Sequence, residues 1–168
     1  MDDQLLPDVL VAKAREVVEA NRAKGRRVAV AESCTGGLVS AALTEIPGSS
    51  EVLEAGFVTY SNAAKLAQLK VSQDVVETFG AVSVATAWAM ARGALAAAEE
   101  ADIAVAITGV AGPGGGSEAK PVGTVVFACA ERDADPAKIV ADQKLFEENT
   151  RSGVRLQAAL CALELLMP

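Results

Sequence analysis

The stretch VAVAESCTGGL, Val28–Leu38, decides the fold. Its first five residues, with mostly apolar neighbours, predict a short buried strand over Val28–Glu32. The SCTGG turn ends that strand, and a helix follows with Leu38, Ala42 and Ile46 in phase until Pro47-Gly48 stops it. A strand that turns directly into a helix is the start of an α/β unit.

The same reading extends outward in both directions. Upstream, Leu10, Ala14, Val17 and Asn21 share one stripe of a helix over Asp8–Lys24, with Gly25 placed to cap it. Downstream, Val52–Tyr60 reads as a second strand, rich in β-branched and aromatic residues. Ser61 and Ser72 are N-cap candidates for two short helices ending near Leu69 and Gly80. A longer helix over Ser83–Glu100 carries an inward stripe of Val84, Ala87, Trp88, Ala91, Leu95 and Ala98. Ile103–Thr108 is the clearest buried strand, and a glycine-rich loop, GVAGPGGGSEAKP, follows it. Strands over Val122–Ala130 and Lys138–Phe146, joined by ERDADP, precede a last helix over Thr150–Met167 with Val154, Ala158, Cys161 and Leu165 inward. This order predicts a three-layer α/β/α sandwich around a five-stranded mixed, mainly parallel sheet, with residues 1–168 as a single domain.

Composition restricts the chemistry. Of 168 residues, 51% are hydrophobic, enough for a substantial core. There is no histidine, so neither a Ser-His-Asp nor a Cys-His arrangement is available, nor a histidine-ligated metal. Fifteen basic against 22 acidic residues give a net charge of −7, poorly suited to nucleic acid. Cys34, Cys129 and Cys161 lack CxxC spacing, which fits reduced thiols in a cytoplasm and argues against a zinc site. The acidic N-terminal MDDQLLPDVL is unlike a secretion signal, and no apolar run approaches the roughly 18 residues of a membrane span.

In an open α/β sheet, ligands bind beyond the carboxyl ends of the strands, and three polar clusters fall there. They are Ser33-Cys34-Thr35-Gly36-Gly37, then Tyr60-Ser61-Asn62 with Lys65, and Thr108-Gly109 with the glycine loop. The SCTGG turn opens a helix whose N-terminus can hold an anion, although Ser33 or Thr35 acting as a simple cap would explain it equally well. Cys34 is a rival nucleophile, and alternation along the chain lets only one of Ser33 and Cys34 face a pocket. Without histidine, Lys65 is the best available base, the alternative being a solvated surface charge. Tyr60, the single tyrosine, could relay a proton or simply end its strand. The glycine loop lacks the lysine spacing of a P-loop and is followed by a strand, so it reads as a side-chain-poor wall, with Gly112, Gly114 and Gly115 open to close ligand approach. Arg151 and Arg155, four apart on the last helix, could reach a substrate phosphate.

ESCTGG (Glu32–Gly37), GFVTYSNAAK (Gly56–Lys65), GAVS (Gly80–Ser83), ITGVAGPGGG (Ile107–Gly116) and KPVGTV (Lys120–Val125) together resemble the CinA C-terminal domain family over nearly the whole chain. The resemblance implies a three-layer fold with a five-stranded mixed sheet. It also implies hydrolysis of nicotinamide mononucleotide to nicotinic acid mononucleotide and ammonia, in pyridine-nucleotide salvage and without a cofactor. Ser33 then corresponds to the nucleophile, Tyr60 and Lys65 to the pair that activates it, and Thr108 to a threonine near the reacting centre. Substrate contacts are expected from Thr35, Gly36, Gly37, Asn62, Gly109, Gly112, Gly114, Gly115, Arg151 and Arg155. The sequence looks like the stand-alone form of a domain often fused to another. Two alternatives stay open: a non-catalytic nucleotide-binding module, and an amidase of another small amide. The alanine-rich helices make a homodimer an expectation as well.

Overall fold

The computed structural model describes residues 3–148 and 150–168. Met1 and Asp2, at the head of the acidic N-terminal stretch, lie outside them. In chain order the elements are α1 (Asp8–Ala23), β1 (Val28–Glu32), α2 (Leu38–Thr44), a 3-10 turn (Ser49–Glu51), β2 (Leu53–Val58), α3 (Asn62–Leu69), α4 (Gln73–Phe79), α5 (Val84–Ala97), β3 (Ile103–Gly109), β4 (Thr124–Glu131), β5 (Val140–Leu145) and α6 (Arg151–Leu165). The strands form one sheet in the order β2-β1-β3-β4-β5. β1 pairs in parallel with β2 and β3, whereas β4 runs antiparallel to both β3 and β5. Four strands therefore point one way and one the other, as the sequence predicts.

Alternation within β1 and β3 builds two different cores. Val28, Val30, Ile103, Val105 and Ile107 face α1, α2 and α6, where bulky side chains fill the layer. Ala29, Ala31, Ala104 and Ala106 face α5, whose own Ala87, Ala91 and Ala94 are fully buried against them. Small residues on both sides bring helix and sheet close together, so packing density rather than side-chain volume stabilises that layer.

Several boundaries and stripes differ from the sequence reading, each for a local reason. β4 starts at Thr124 rather than Val122 because the Thr124 N–H and hydroxyl both donate to Pro121 O, closing a turn. α5 stops at Ala97, where Arg132 takes the carbonyls of Leu95, Ala98 and Ala101. Val84 is 40% exposed, at the solvent end of α5, and its place inside is taken by Thr86 and Met90. The buried stripe of α6 is Val154, Ala158, Ala159, Ala162 and Leu163, leaving Cys161 and Leu165 at its flank. Ser61, Ser83 and Thr150 cap their helices through their hydroxyls, while Ser72 makes no such bond.

β1 has β2 on one side and β3 on the other, so the chain reverses direction across the sheet at β1. The carboxyl ends of β1, β2 and β3 converge there, which is where an open sheet leaves room for a ligand.

Candidate active site

Ser33 is the first residue after β1, and its N–H donates to Ile107 O of β3 at 2.9 Å, fixing the start of the serine turn against the sheet. The turn needs two consecutive left-handed residues, supplied by Gly36 (φ +59°) and Gly37 (φ +99°). Glu32, wholly buried, turns its carboxylate onto the helix that follows: it accepts from Val39 N at 2.9 Å, Ser40 N at 3.0 Å and Ser40 Oγ at 2.8 Å. Of the two readings of this helix N-terminus, anion site or simple cap, the first turn of α2 follows the second, with Glu32 rather than Ser33 or Thr35 as the capping side chain.

Lys65 enters from α3. Ser61 caps that helix by accepting from Ala64 N at 3.0 Å, which sets Lys65 one turn in and facing the sheet. The lysine is 1% exposed, so it is no surface charge. Its Nζ lies 2.9 Å from Ser33 Oγ, 2.8 Å from Thr59 O and 3.2 Å from Tyr60 O. Burial pushes its pKa down from 10.5 to about 8. The Cys34 thiol is pushed the other way, up to about 11, chiefly by burial. At neutral pH the cysteine is therefore a protonated thiol, and the residue in contact with a base is Ser33.

A cavity of about 350 Å³ lies over this pair. Ser33, Cys34, Tyr60, Asn62, Lys65, Thr108, Gly109, Gly112, Gly114, Gly115 and Arg151 of the sequence-predicted residues reach its wall, together with Ala81, Val82, Val110 and Ala111. Ser33 and Cys34 both border the cavity, but the Cys34 side chain packs into the core with Val30 and Val39, and it is the Ser33 hydroxyl that meets Lys65. Ala81 and Val82 belong to the GAVS motif and the other two to the glycine loop, so the sequence carried a signal for them, though none for their place on the wall.

The rest of the expected set is placed differently. Tyr60 reaches the lysine through its main-chain carbonyl; its hydroxyl instead accepts from Arg151 Nη2 at 2.9 Å, and the residue is 60% exposed. The Thr108 hydroxyl donates to Ala81 O at 2.9 Å, so its proton holds a wall of the cavity. Arg151 also donates to Gly112 O at 2.7 Å and ties the glycine loop to Tyr60. Arg155 is not on the cavity wall: it donates to Cys34 O and Thr35 O, both at 3.1 Å, bracing the serine turn from behind. Thr35, Gly36 and Gly37 shape the turn without lining the cavity, and Thr35 is fully buried. Among the described residues, no three of Cys, Asp and Glu gather as a metal site requires.

The fold and this pair define an α/β/α protein with a buried serine–lysine site at the sheet's switch point. The chain belongs to the CinA C-terminal domain family, whose model matches residues 11–168. It is 49% identical over 149 residues to the nicotinamide-nucleotide amidohydrolase PncC of Enterobacter agglomerans, covering 89% of this chain and 88% of that one. The PncC of Escherichia coli K12 is 46% identical over 157 residues, 94% of this chain and 92% of that one. A CinA-like protein of Syntrophobacter fumaroxidans is 47% identical across 89% of this chain, which spans only 34% of that longer relative. Among solved structures, the competence/damage-inducible protein CihA of Agrobacterium tumefaciens superposes with a TM-score of 0.91 at 45% identity, covering 97% of this chain and 96% of that one.

Proposed function

We propose that the protein hydrolyses the carboxamide of nicotinamide mononucleotide to the carboxylate and ammonia, with Ser33 as nucleophile and Lys65 as its base. The observation that carries this reading is the buried Ser33–Lys65 contact of 2.9 Å, with the lysine held near pKa 8. Relatives that share nearly their whole length with this chain and are named nicotinamide-nucleotide amidohydrolases support the substrate.

The geometry supplies a mechanism. When Lys65 is neutral it has two N–H bonds and one lone pair. Thr59 O and Tyr60 O accept the two N–H groups, which aims the lone pair at Ser33 Oγ. Ser33 gives its proton to Nζ as Oγ bonds to the carboxamide carbon, and the carbonyl electron pair moves onto oxygen. We assign that oxyanion to main-chain N–H groups of the SCTGG turn, which borders the cavity at Ser33 and Cys34. Collapse expels the amine, protonated by the Lys65 ammonium, and leaves an acyl ester on Ser33. Water, deprotonated in turn by Lys65, releases the acid and restores the serine. We assign the substrate's phosphate to Arg151, which lines the cavity together with Asn62. The three cysteines are free thiols, which fits a cytoplasmic enzyme.

The test is ammonia release from nicotinamide mononucleotide, with and without Ser33→Ala. Turnover that the variant loses supports the reading. Nucleotide binding without ammonia would instead make the protein a ligand-sensing module, and turnover of other amides alone would make it a different amidase.

A further inference from the structure

β5 closes one side of the sheet, and β4 is its one strand neighbour among the described residues. Five of its six residues, VADQKL, are exposed, and because successive side chains point to opposite faces, exposed side chains stand on both, with Ala141 alone packed against the core beside α5. Val140 is 49% and Leu145 60% exposed, with Ile139 just before the strand at 55%. Two of the usual edge guards are missing, since there is no proline within the strand and its pairing with β4 runs without a bulge; its one lysine, Lys144, lies 4.0 Å from Asp142 of the same face. β2, at the opposite end of the sheet, is better covered, and its Glu54 is bound by Arg27.

We propose that β5 pairs antiparallel with β5 of a second copy of this chain, about a two-fold axis at Gln143, joining the two sheets into one. The strand's own charge order carries the choice of occupant and of register. Centred on Gln143, Asp142 faces the partner's Lys144 and Lys144 faces the partner's Asp142, while the small Ala141 faces the partner's Leu145. Centring on Asp142 or Lys144 would set like charges opposite each other, which is destabilising. A self-complementary strand of this kind forms a closed two-fold contact and leaves no further edge for growth on that side. The contact is independent of the Ser33–Lys65 site, and it uses a surface other than the alanine-rich helices, which are buried against the sheet.

The experiment is sedimentation velocity on the full chain up to about 100 μM, where a specific dimer of ordinary affinity is populated. The wild type sediments as a dimer. Asp142→Lys, which opposes lysines on both strands, weakens the dimer roughly tenfold or more, and Asp142→Lys with Lys144→Asp restores it. Circular dichroism, and the unfolding midpoint at concentrations low enough that every form is monomeric, stay unchanged in both variants, so loss of dimer is not loss of fold. A wild type that stays monomeric at that concentration overturns the proposal, as would a dimer indifferent to Asp142→Lys or a charge swap that fails to restore it. An edge reserved for a strand of another protein would give the monomeric outcome.

Discussion

The ε-amine of Lys65 has Thr59 O, Tyr60 O and Ser33 Oγ within hydrogen-bond reach, and its protonation state sets the direction of the third bond. As an ammonium it donates to all three, and the Ser33 hydroxyl is left with a 3.4 Å contact to Tyr60 O. As an amine it accepts from Ser33, which is the reactive arrangement. Tyr60 therefore matters at the pair for where its backbone lies, and Tyr60→Phe should keep most of kcat, whereas a phenol that relays the proton would make that variant nearly inactive. Ser33→Ala should lower kcat roughly a thousandfold or more with an unchanged unfolding midpoint. Cys34→Ala should stay within about tenfold of wild type, since its thiol is protonated at neutral pH. The reverse pattern in an ammonia-release assay would move the nucleophile to Cys34.

At the scale of elements, the site depends on α3 and α6 reaching two loops. α3 fixes Lys65 through its cap, so Ser61→Ala should lower stability by about 1 kcal/mol in denaturant unfolding and reduce kcat with it. α3 also lies against Gly93 of α5, where an added side chain would meet the Leu69 carbonyl; Gly93→Val should cost about 1–3 kcal/mol. Arg155 on α6 holds the serine turn by two carbonyls, and Arg155→Ala should reduce kcat about tenfold with little change in KM, whereas Arg151→Ala should mainly raise KM. The cap Ser61 and the strand β1 were legible because a cap or an apolar run acts within a few residues, whereas Ser72, read as a cap on the same grounds, makes no cap bond. The Ser33–Lys65 pairing was legible because the missing histidine leaves few bases and the topology brings both to one end of the sheet. Arg155 was not, since Cys34 O and Thr35 O are 121 and 120 residues away in sequence and main-chain acceptors leave no mark on it. The one clue to Glu32 was a carboxylate ending an otherwise apolar strand just before the turn.

Over the whole molecule, one buried lysine links the site to stability. Its pKa is about 8 folded and near 10.5 unfolded, so between these values the unfolded chain holds the extra proton. The contribution of Lys65 to stability therefore rises with pH from about 8 to 10.5, by up to roughly 1.4 kcal/mol per unit. Cys34 and Cys129, both raised to about 11 by burial, oppose this above pH 9, so the comparison must be a difference. Denaturant curves of Lys65→Met against wild type should show the variant favoured at pH 7 and that advantage shrinking through pH 10. An advantage that does not change with pH would mean that Lys65 folds with its ordinary pKa.

The most direct measurement of the central claim is the pH dependence of kcat/KM for ammonia release from nicotinamide mononucleotide, which reports groups in the free enzyme. With neutral Lys65 as the base of Ser33, the rate rises with pH and levels off above about 8. Roughly a tenth of the enzyme is then active at pH 7. A profile that is flat or falls across pH 7–9 would contradict the assignment.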